Sequence, residues 1–591
     1  MLSSIPYSIL YLFSYFFIFS GFYIFKKSEN KLNGVTWFSI TFITLMCYNA
    51  FVAAVINLVY IPVNIVSSSV FNILAGAFLW YKIIKEKQRQ TYKFSKFDLF
   101  AMFLIVVVVM IIALKRYGVQ LNLNYDTSDP SIHFQYAMDI VNNQKVSDMY
   151  FAPLNNALFI ELLSPLFTTV TYYKIFILSD IAMLMLSGMI FYALIEKLMK
   201  DNFLKWAGLI TSILYMIAYP LNNMLWGFVY LGIGVSVIAY MIMAVDWYIK
   251  DELNKIINLI MIALASLGVF LCYVLFMPVV YLGTFICLSI YFYKKAELFT
   301  LKTIGRYIII YLIPIIFGFI YTYFGVFSDG VTPESAIANE GIIYRDLYSN
   351  FIFILPLVLY TICKIIKNRE NNSAIFIFIS LVVFMAGLLI VGLETMKVSS
   401  YYYYKNYYLL WMLTMNFAFY GVYYISKVDK TIIVTGFSVF AALGLMVYFN
   451  VEGIIYAKNA IYCVEPYAQI YTGIYSYNYG QFSKPRYFVG NEKHDLYKFA
   501  VDNYVSQGEF VPAVGEVEDI YWYEAITNQR QSHLYDWKIG EENYIDIIKN
   551  DDDISFVTVF YASNTYVNNI DYFEGLEKLY SNSMGFVCKV K

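Results

Sequence analysis

The chain has 591 residues, 60% hydrophobic and 14% charged, with 41 basic and 42 acidic side chains. Soluble domains carry about 25% charged residues, so this composition excludes an ordinary water-soluble globule and indicates an integral membrane protein. The formal net charge of −1 offers no basic surface, and no nucleic-acid partner is expected.

Apolar runs of roughly 17 to 25 residues recur to about residue 449, each long enough to cross about 30 Å of hydrocarbon as a helix. About fourteen spans are read, at 5–25, 35–59, 61–84, 98–116, 172–195, 204–220, 223–247, 256–274, 276–293, 305–325, 350–367, 373–393, 406–426 and 430–449. The first run has no basic residues before it and no small-residue cleavage site, so it reads as a retained span. Basic clusters at Lys26–Lys27, Lys85–Lys96, Lys197–Lys205, Lys250–Lys255, Lys294–Lys302, Lys364–Arg369 and Lys427–Lys430 fall on alternate connections. The positive-inside rule puts those connections in the cytoplasm and both the N-terminus and the C-terminal region outside a cell membrane.

The expected fold class is a mainly α polytopic membrane protein with a small C-terminal extracytoplasmic α/β domain. Residues 1–97 read as an accessory transmembrane block and 98–449 as a core whose longer loops, 117–171, 326–349 and 394–405, all lie outside. Residues 450–591 form the external domain. In it GEFVPAVG reads as a strand, EVEDIYWYEAITNQ and EENYIDIIKN as helices, ISFVTVFYA as a buried strand, NNIDYFEGLEKLY as a helix and GFVCKVK as a final strand. The chain shows no GxGxxG or GxxxxGK[ST], no CxxC and no internal repeat. Cys463 and Cys588 are both external, and pairing between them is one option.

The first long loop contains NYDTSDPSIHF, residues 124–134. Asp129-Pro130 predicts a helix start, because an Asp side chain caps free backbone N–H groups and proline suits the first helical position. Phe134, Ala137, Met138 and Val141 follow at helical spacing, which predicts an amphipathic helix lying in the membrane interface. On this reading Asp129 is a cap and Asp126 a solvated loop acid. A chemical reading stands beside it: Asp126, Asp129 and His133 gather at one helix start, at the external mouth of a helical bundle, where the helix terminus favours anions. A carboxylate held there can act as a general base or bind a divalent cation.

Asp129-Pro130 followed by His133-Phe134 and Ala137, in the first long external loop, resembles the Asp-Pro-x-x-Asn-Tyr-x-x-Thr/Ala pattern of oligosaccharyltransferase catalytic subunits. More broadly it resembles the GT-C superfamily of polytopic glycosyltransferases. The resemblance implies a GT-C-like bundle, a sugar donor on a polyprenyl phosphate or pyrophosphate, a glycan or glycolipid acceptor outside the membrane, and a carboxylate, Asp129 or Asp126, that activates the acceptor hydroxyl with inversion. Mg²⁺ or Mn²⁺ held by Asp129 and His133 is implied only for a pyrophosphate donor. The chain lacks the WWDYG motif of the oligosaccharyltransferases, has His133 where the pattern has Asn, and carries three extra N-terminal spans. A transferase of cell-surface polysaccharide assembly is the expectation, with a flippase of lipid-linked oligosaccharide or an O-antigen-type polymerase or ligase as alternatives.

Transfer from a lipid phosphate leaves charge on the departing oxygen, which a cation would stabilise. The segment ETMKVSSYYYYKNYYLLW offers Glu394, Lys397, Tyr404 and Lys405, with six tyrosines between Tyr401 and Tyr408. Lys405 at a span start also fits a snorkelling lysine in an aromatic belt. Arg345 in the 326–349 loop can bind phosphate in a bidentate way, though a solvated loop explains its charges too. Within the spans, Asp246 lies near a cytoplasmic end, whereas Asp180 is expected about two turns from an external end, facing the same cavity as Asp129.

Overall fold

A computed structural model describes residues 5–25, 33–86, 95–125, 127–146, 150–323, 343, 351, 354–395, 399–433, 436, 474–475, 477–481 and 487–591. Asp126, Arg345, Lys397 and Cys463, the 326–349 loop apart from Ile343, and most of the span expected at 430–449 lie outside the described residues.

The chain is a helical membrane protein with a small C-terminal α/β unit. Among the described residues eleven helical segments are long and apolar enough to cross a membrane. In chain order the helices are α1 (Ile5–Ile24), α2 (Gly34–Leu58), α3 (Ile65–Lys85), α4 (Lys96–Tyr117), α5 (Asp129–Asn143), α6 (Phe151–Leu163), α7 (Tyr172–Glu196), α8 (Asn202–Met216), α9 (Tyr219–Trp226), α10 (Val229–Ile249), α11 (Lys255–Cys272), α12 (Met277–Lys294), α13 (Leu301–Tyr307), α14 (Ile313–Tyr323), α15 (Leu355–Asn368), α16 (Ser373–Thr395) and α17 (Ser400–Ser426). Helix α17 has 27 residues, ample to span at about 1.5 Å each, but its tyrosines and Lys405 dilute its hydropathy. The span expected at 223–247 begins only at Val229, because Gly227 at φ +78° closes α9.

Helix α10 is the axis of the bundle. It packs on α7, α11, α12 and α17, and nearly all its residues are buried. Four of the seven basic clusters meet at one end through ion pairs: Lys197 to Asp246 at 2.9 Å, Lys255 and Lys295 to Asp251 at 3.0 and 3.6 Å, and Lys430 to Asp201 at 2.7 Å. Asp246 also accepts from the Ser373 hydroxyl at 2.8 Å, so this buried acid is paired and ties α10 to α16. At the opposite end of α3, Asn64 accepts from the N–H groups of Val66 and Ser67, both at 3.0 Å, and Glu161 of α6 accepts from that of Ile65 at 2.7 Å. These bonds fill donors that a helix start otherwise leaves open, and that from Ile65 pins α3 to the loop helix α6.

A two-stranded ribbon joins the first long loop to the C-terminal region. Strand β1 (Leu123–Tyr125) pairs antiparallel with β2 (Tyr487–Val489), Asn124 opposite Phe488. Arg116, buried at the end of α4, holds the crossing: its Nε donates to the Asn124 carbonyl at 2.6 Å and its guanidinium to the Gln481 carbonyl at 2.8 Å. Nearby Asn478 donates to the Ala218 and Ile217 carbonyls at 2.8 and 3.0 Å, where α8 breaks into α9.

The C-terminal unit continues with α18 (Asn491–Asn503), β3 (Ala513–Val514), α19 (Val517–Thr527), α20 (Asp536–Ile539), α21 (Glu541–Asn550), β4 (Phe556–Phe560), α22 (Asn564–Asn568), α23 (Ile570–Glu574), β5 (Glu577–Ser581) and β6 (Gly585–Lys589). The sheet order is β3-β4-β6-β5, with β3 parallel to β4 and the other pairs antiparallel. Central β4 buries Val557, Thr558 and Val559 completely, as expected of a strand covered on both faces. One expectation is corrected: NNIDYFEGLEKLY is helical only through Glu574. Gly575 ends that helix, and Glu577–Ser581 beyond it pair with β6 as an antiparallel hairpin. Helix α18 carried no expectation from the sequence.

Gly227 is the turn on which the first long loop rests. A Cβ built there lies 2.1 Å from Pro130 Cγ and 2.9 Å from Pro130 N. Gly227→Ala is expected to destabilise the protein by at least about 1 kcal/mol from the left-handed backbone alone, with the overlap adding to it. Gly305→Ala, at a helical site with no atom within 4 Å of the new methyl, should be neutral or slightly stabilising. Thermal unfolding of the purified protein in detergent distinguishes the two.

Candidate active site

Helix α5 starts at Asp129 with Pro130 next, and Ser128 occupies the cap position without a side-chain cap bond. The expected role of Asp129 as the cap is therefore corrected by one residue. The chain enters the helix held by Thr127, whose hydroxyl donates to the Trp226 carbonyl at 2.7 Å, and this docking sets where the helix begins. Asp129 is left half-buried with its carboxylate not committed to capping. The apolar face of α5 is covered by protein. Phe134, Ala137 and Ile140 are buried, and the helix packs against α6 and against α19 of the C-terminal unit.

Lys405, in the second turn of α17, is buried in a cage of rings. Its Nζ lies 4.1 Å from the centroid of Tyr401, 5.0 Å from Phe228, 5.2 Å from Tyr273, 5.3 Å from Tyr230 and 5.5 Å from Tyr402. It donates a hydrogen bond to the Tyr230 hydroxyl at 2.8 Å. Ring faces are negative, so the cage partly replaces the water the ammonium has lost, by about 0.5–2 kcal/mol per well-placed ring. The cage also excludes the snorkelling reading, in which the charged head stays in water. Tyr404 packs instead on Tyr403 and Tyr407, at 5.5 and 5.2 Å between centroids.

Asp129 and Lys405 share this neighbourhood. Burial pushes the Asp129 carboxyl above the usual carboxylate range, and the Lys405 ammonium pulls it back only in part. A carboxylate raised in this way is a better proton acceptor at neutral pH. His133, one turn further along α5, lies 4.9 Å from the Tyr230 ring and 6.3 Å from Tyr150, which itself stacks on Tyr230 at 4.6 Å and 10°. Burial, and then the Lys405 charge, lower its pKa to about 3, so the imidazole is neutral. Its Nδ1 is enclosed and has no hydrogen-bond partner among the described residues.

The C-terminal unit closes over the same helix. The Gln135 side chain donates to the Tyr521 carbonyl at 3.3 Å and to Glu524 at 3.4 Å, and Arg530 of the unit pairs with Asp139 at 2.7 Å and with Gln135. Tyr521 is raised by burial and then by the charges of Glu524, Glu518 and Asp129, which places its hydroxyl within the field of the site.

Two further expected residues have other contacts. Asp180 is fully buried and accepts from the Tyr125 hydroxyl at 2.6 Å, and Tyr125 stacks on Trp522 at 5.9 Å. This bond braces β1, and the charge that acts on Asp129 is that of Lys405. Glu394 is exposed near the end of α16. Among the described residues no three His, Cys, Asp or Glu side chains gather at one point. Asp129 and His133 are two potential ligands on successive turns of α5, and Lys405 adds positive charge beside them. The sequence flagged Lys405 and, among the tyrosines, Tyr404, whereas the cage is built from Tyr401, Tyr402, Phe228, Tyr230 and Tyr273, with Tyr150 stacked behind Tyr230. For Phe228, Tyr230 and Tyr273 the only sequence signal was an aromatic residue near the end of an expected span, and Tyr150 lay in the first long loop with none.

No family model and no curated protein sequence matches the chain. Among solved structures, the apo oligosaccharyltransferase of Archaeoglobus fulgidus is similar over 78% of this chain and 69% of its own, at 10% identity and a TM-score of 0.42.

A folded-state imidazole held near pKa 3 binds fewer protons than the unfolded chain between that value and the ordinary one of about 6.5, so stability falls as pH drops through this window and is level above it. His133→Gln should flatten that fall. The ring carbon signals of His133 in labelled protein should keep their neutral positions down to pH 5.

Proposed function

We propose that the chain is an integral membrane glycosyltransferase that moves a sugar from a polyprenyl-phosphate-linked donor to an acceptor hydroxyl on the outer face of the cell membrane, in assembly of a cell-surface polysaccharide or glycoconjugate. One observation carries this reading: a half-buried carboxylate at a helix start, Asp129, stands beside a buried ammonium, Lys405, caged by tyrosines. The two groups match the two charges that develop in the transfer. The acceptor oxygen bonds to the sugar C1 as the bond from C1 to the phosphate oxygen breaks, with inversion. Its proton passes to Asp129, and the negative charge on the departing lipid phosphate falls to Lys405.

Lys405 suits that role because it is held in place before the reaction and acts where water is scarce. Neutral His133 lines the same wall and adds no competing charge. The tyrosine rings give sugar and prenyl segments apolar faces with hydroxyl edges. In this reading Arg345 is a second cation for the donor phosphate, and no step requires a metal ion.

Asp129→Asn is expected to lower transfer of radiolabelled sugar from the membrane lipid pool to polymer by at least about 10²-fold, with the glycolipid donor accumulating on the outer leaflet. Lys405→Met should give the same pattern. Undiminished transfer in Asp129→Asn, with expression and topology confirmed, returns Asp129 to a structural role and sinks the proposal.

A further inference from the structure

The C-terminal unit carries an aromatic shelf that the transfer chemistry does not use. Trp537 is 41% exposed, an unusual state for the largest apolar side chain. Its indole lies parallel to the Tyr535 ring, centroids 4.3 Å apart at 19°. Tyr521 stands edge-on to both, at 5.7 Å from Tyr535 and 6.1 Å from Trp537. The group is rigid from below. The Tyr535 hydroxyl donates to buried Glu524 at 2.8 Å, and Glu524 also accepts from the Gln531 N–H at 2.7 Å. The Asp536 side chain accepts from the Trp537 N–H at 2.7 Å and from the Thr565 hydroxyl, which fixes the backbone under the indole. The surroundings are polar: Lys538 Nζ lies 4.8 Å from the Tyr535 ring centroid, Asp536 precedes the indole, and the Arg530 charge reaches the Tyr535 hydroxyl.

An exposed stacked indole held by buried hydrogen bonds is a costly way to fill a surface, and its faces are flat and negative. A pyranose ring is complementary: one face presents C–H groups to an aromatic plane, and its hydroxyls point sideways to a polar rim. Because the rings are already fixed, little side-chain freedom is lost when such a ligand settles on them. The shelf adjoins the site through Tyr521, whose carbonyl accepts from Gln135 on the helix that begins with Asp129.

We propose that Trp537, backed by Tyr535 and flanked by Tyr521, is a carbohydrate-stacking platform that holds the growing glycan acceptor with its reacting end toward Asp129. The assignment rests on the transferase reading for its purpose but not for its chemistry. The test is binding of the full-length protein in detergent to a printed array of hexose, N-acetylhexosamine and pentose oligosaccharides. The wild type should capture a subset of glycans, Trp537→Ala should lose that signal at least tenfold, Trp537→Phe should keep most of it, and Asp129→Asn should bind as the wild type does. Absence of capture by the wild type, or equal capture by Trp537→Ala, overturns the platform. So does quenching by brominated lipids of the emission that Trp537→Phe removes, because the indole would then sit in the bilayer. An Asp129→Asn protein that still transfers sugar while the array result holds would sink the catalytic reading alone.

Discussion

The approach of two backbones at Gly227 and Pro130 is the constraint from which the site follows. Any side chain at Gly227 would occupy the place of the proline ring. Without one, the turn between α9 and α10 meets the start of α5, and Thr127 bonds across the contact. The same turn delivers Phe228 and Tyr230 to the cage around Lys405. A single turn thus sets both the position of the carboxylate and two walls around the ammonium, although Asp129 and Lys405 are 276 residues apart in sequence.

Burial does the rest. A lone ammonium inside a helical bundle is costly, and the protein answers with ring faces and one phenol oxygen more than with a tight ion pair. Asp129 is near enough to feel the charge but is not locked to it, so each group keeps capacity for something else. The contrast with Asp246 is instructive. That acid is closed off by Lys197 and Ser373, and its bonding explains its burial without any chemistry.

Much of the fold was legible because the bilayer imposes simple rules. Span length and charge alternation read out the helices, and the ion pairs that gather four basic clusters at one end accord with the pattern. The helix at Asp129 was legible to within one residue, since Asp-Pro is a local signal. What could not be read locally depended on partners far along the chain. Strands β1 and β2 have only three residues each and exist because they find one another. The LEKLY segment has helical composition, yet β6 recruits it as a strand, a case of tertiary pairing overriding propensity. The cage residues Tyr230 and Tyr273 sit at helix ends with no periodic signature, so only folding assembles them. Asp180 was legible as a buried acid, but its bond to the tyrosine that anchors β1 was not, because that contact joins residues 55 apart in sequence.

The ribbon has a consequence for the order in which the protein is made. Arg116 and β1 emerge early in synthesis, but Gln481 and β2 emerge some 365 residues later. The contact between Gln135 and the C-terminal unit spans 386 residues. At about 5–20 residues per second, the first loop waits tens of seconds for its partner strand. During that interval a nascent chain has its spans in the bilayer and its Asp129 helix uncovered. The enclosure over that helix is completed only after the last span has been inserted and the C-terminal unit has folded, so maturation is a discrete late event in the life of each molecule.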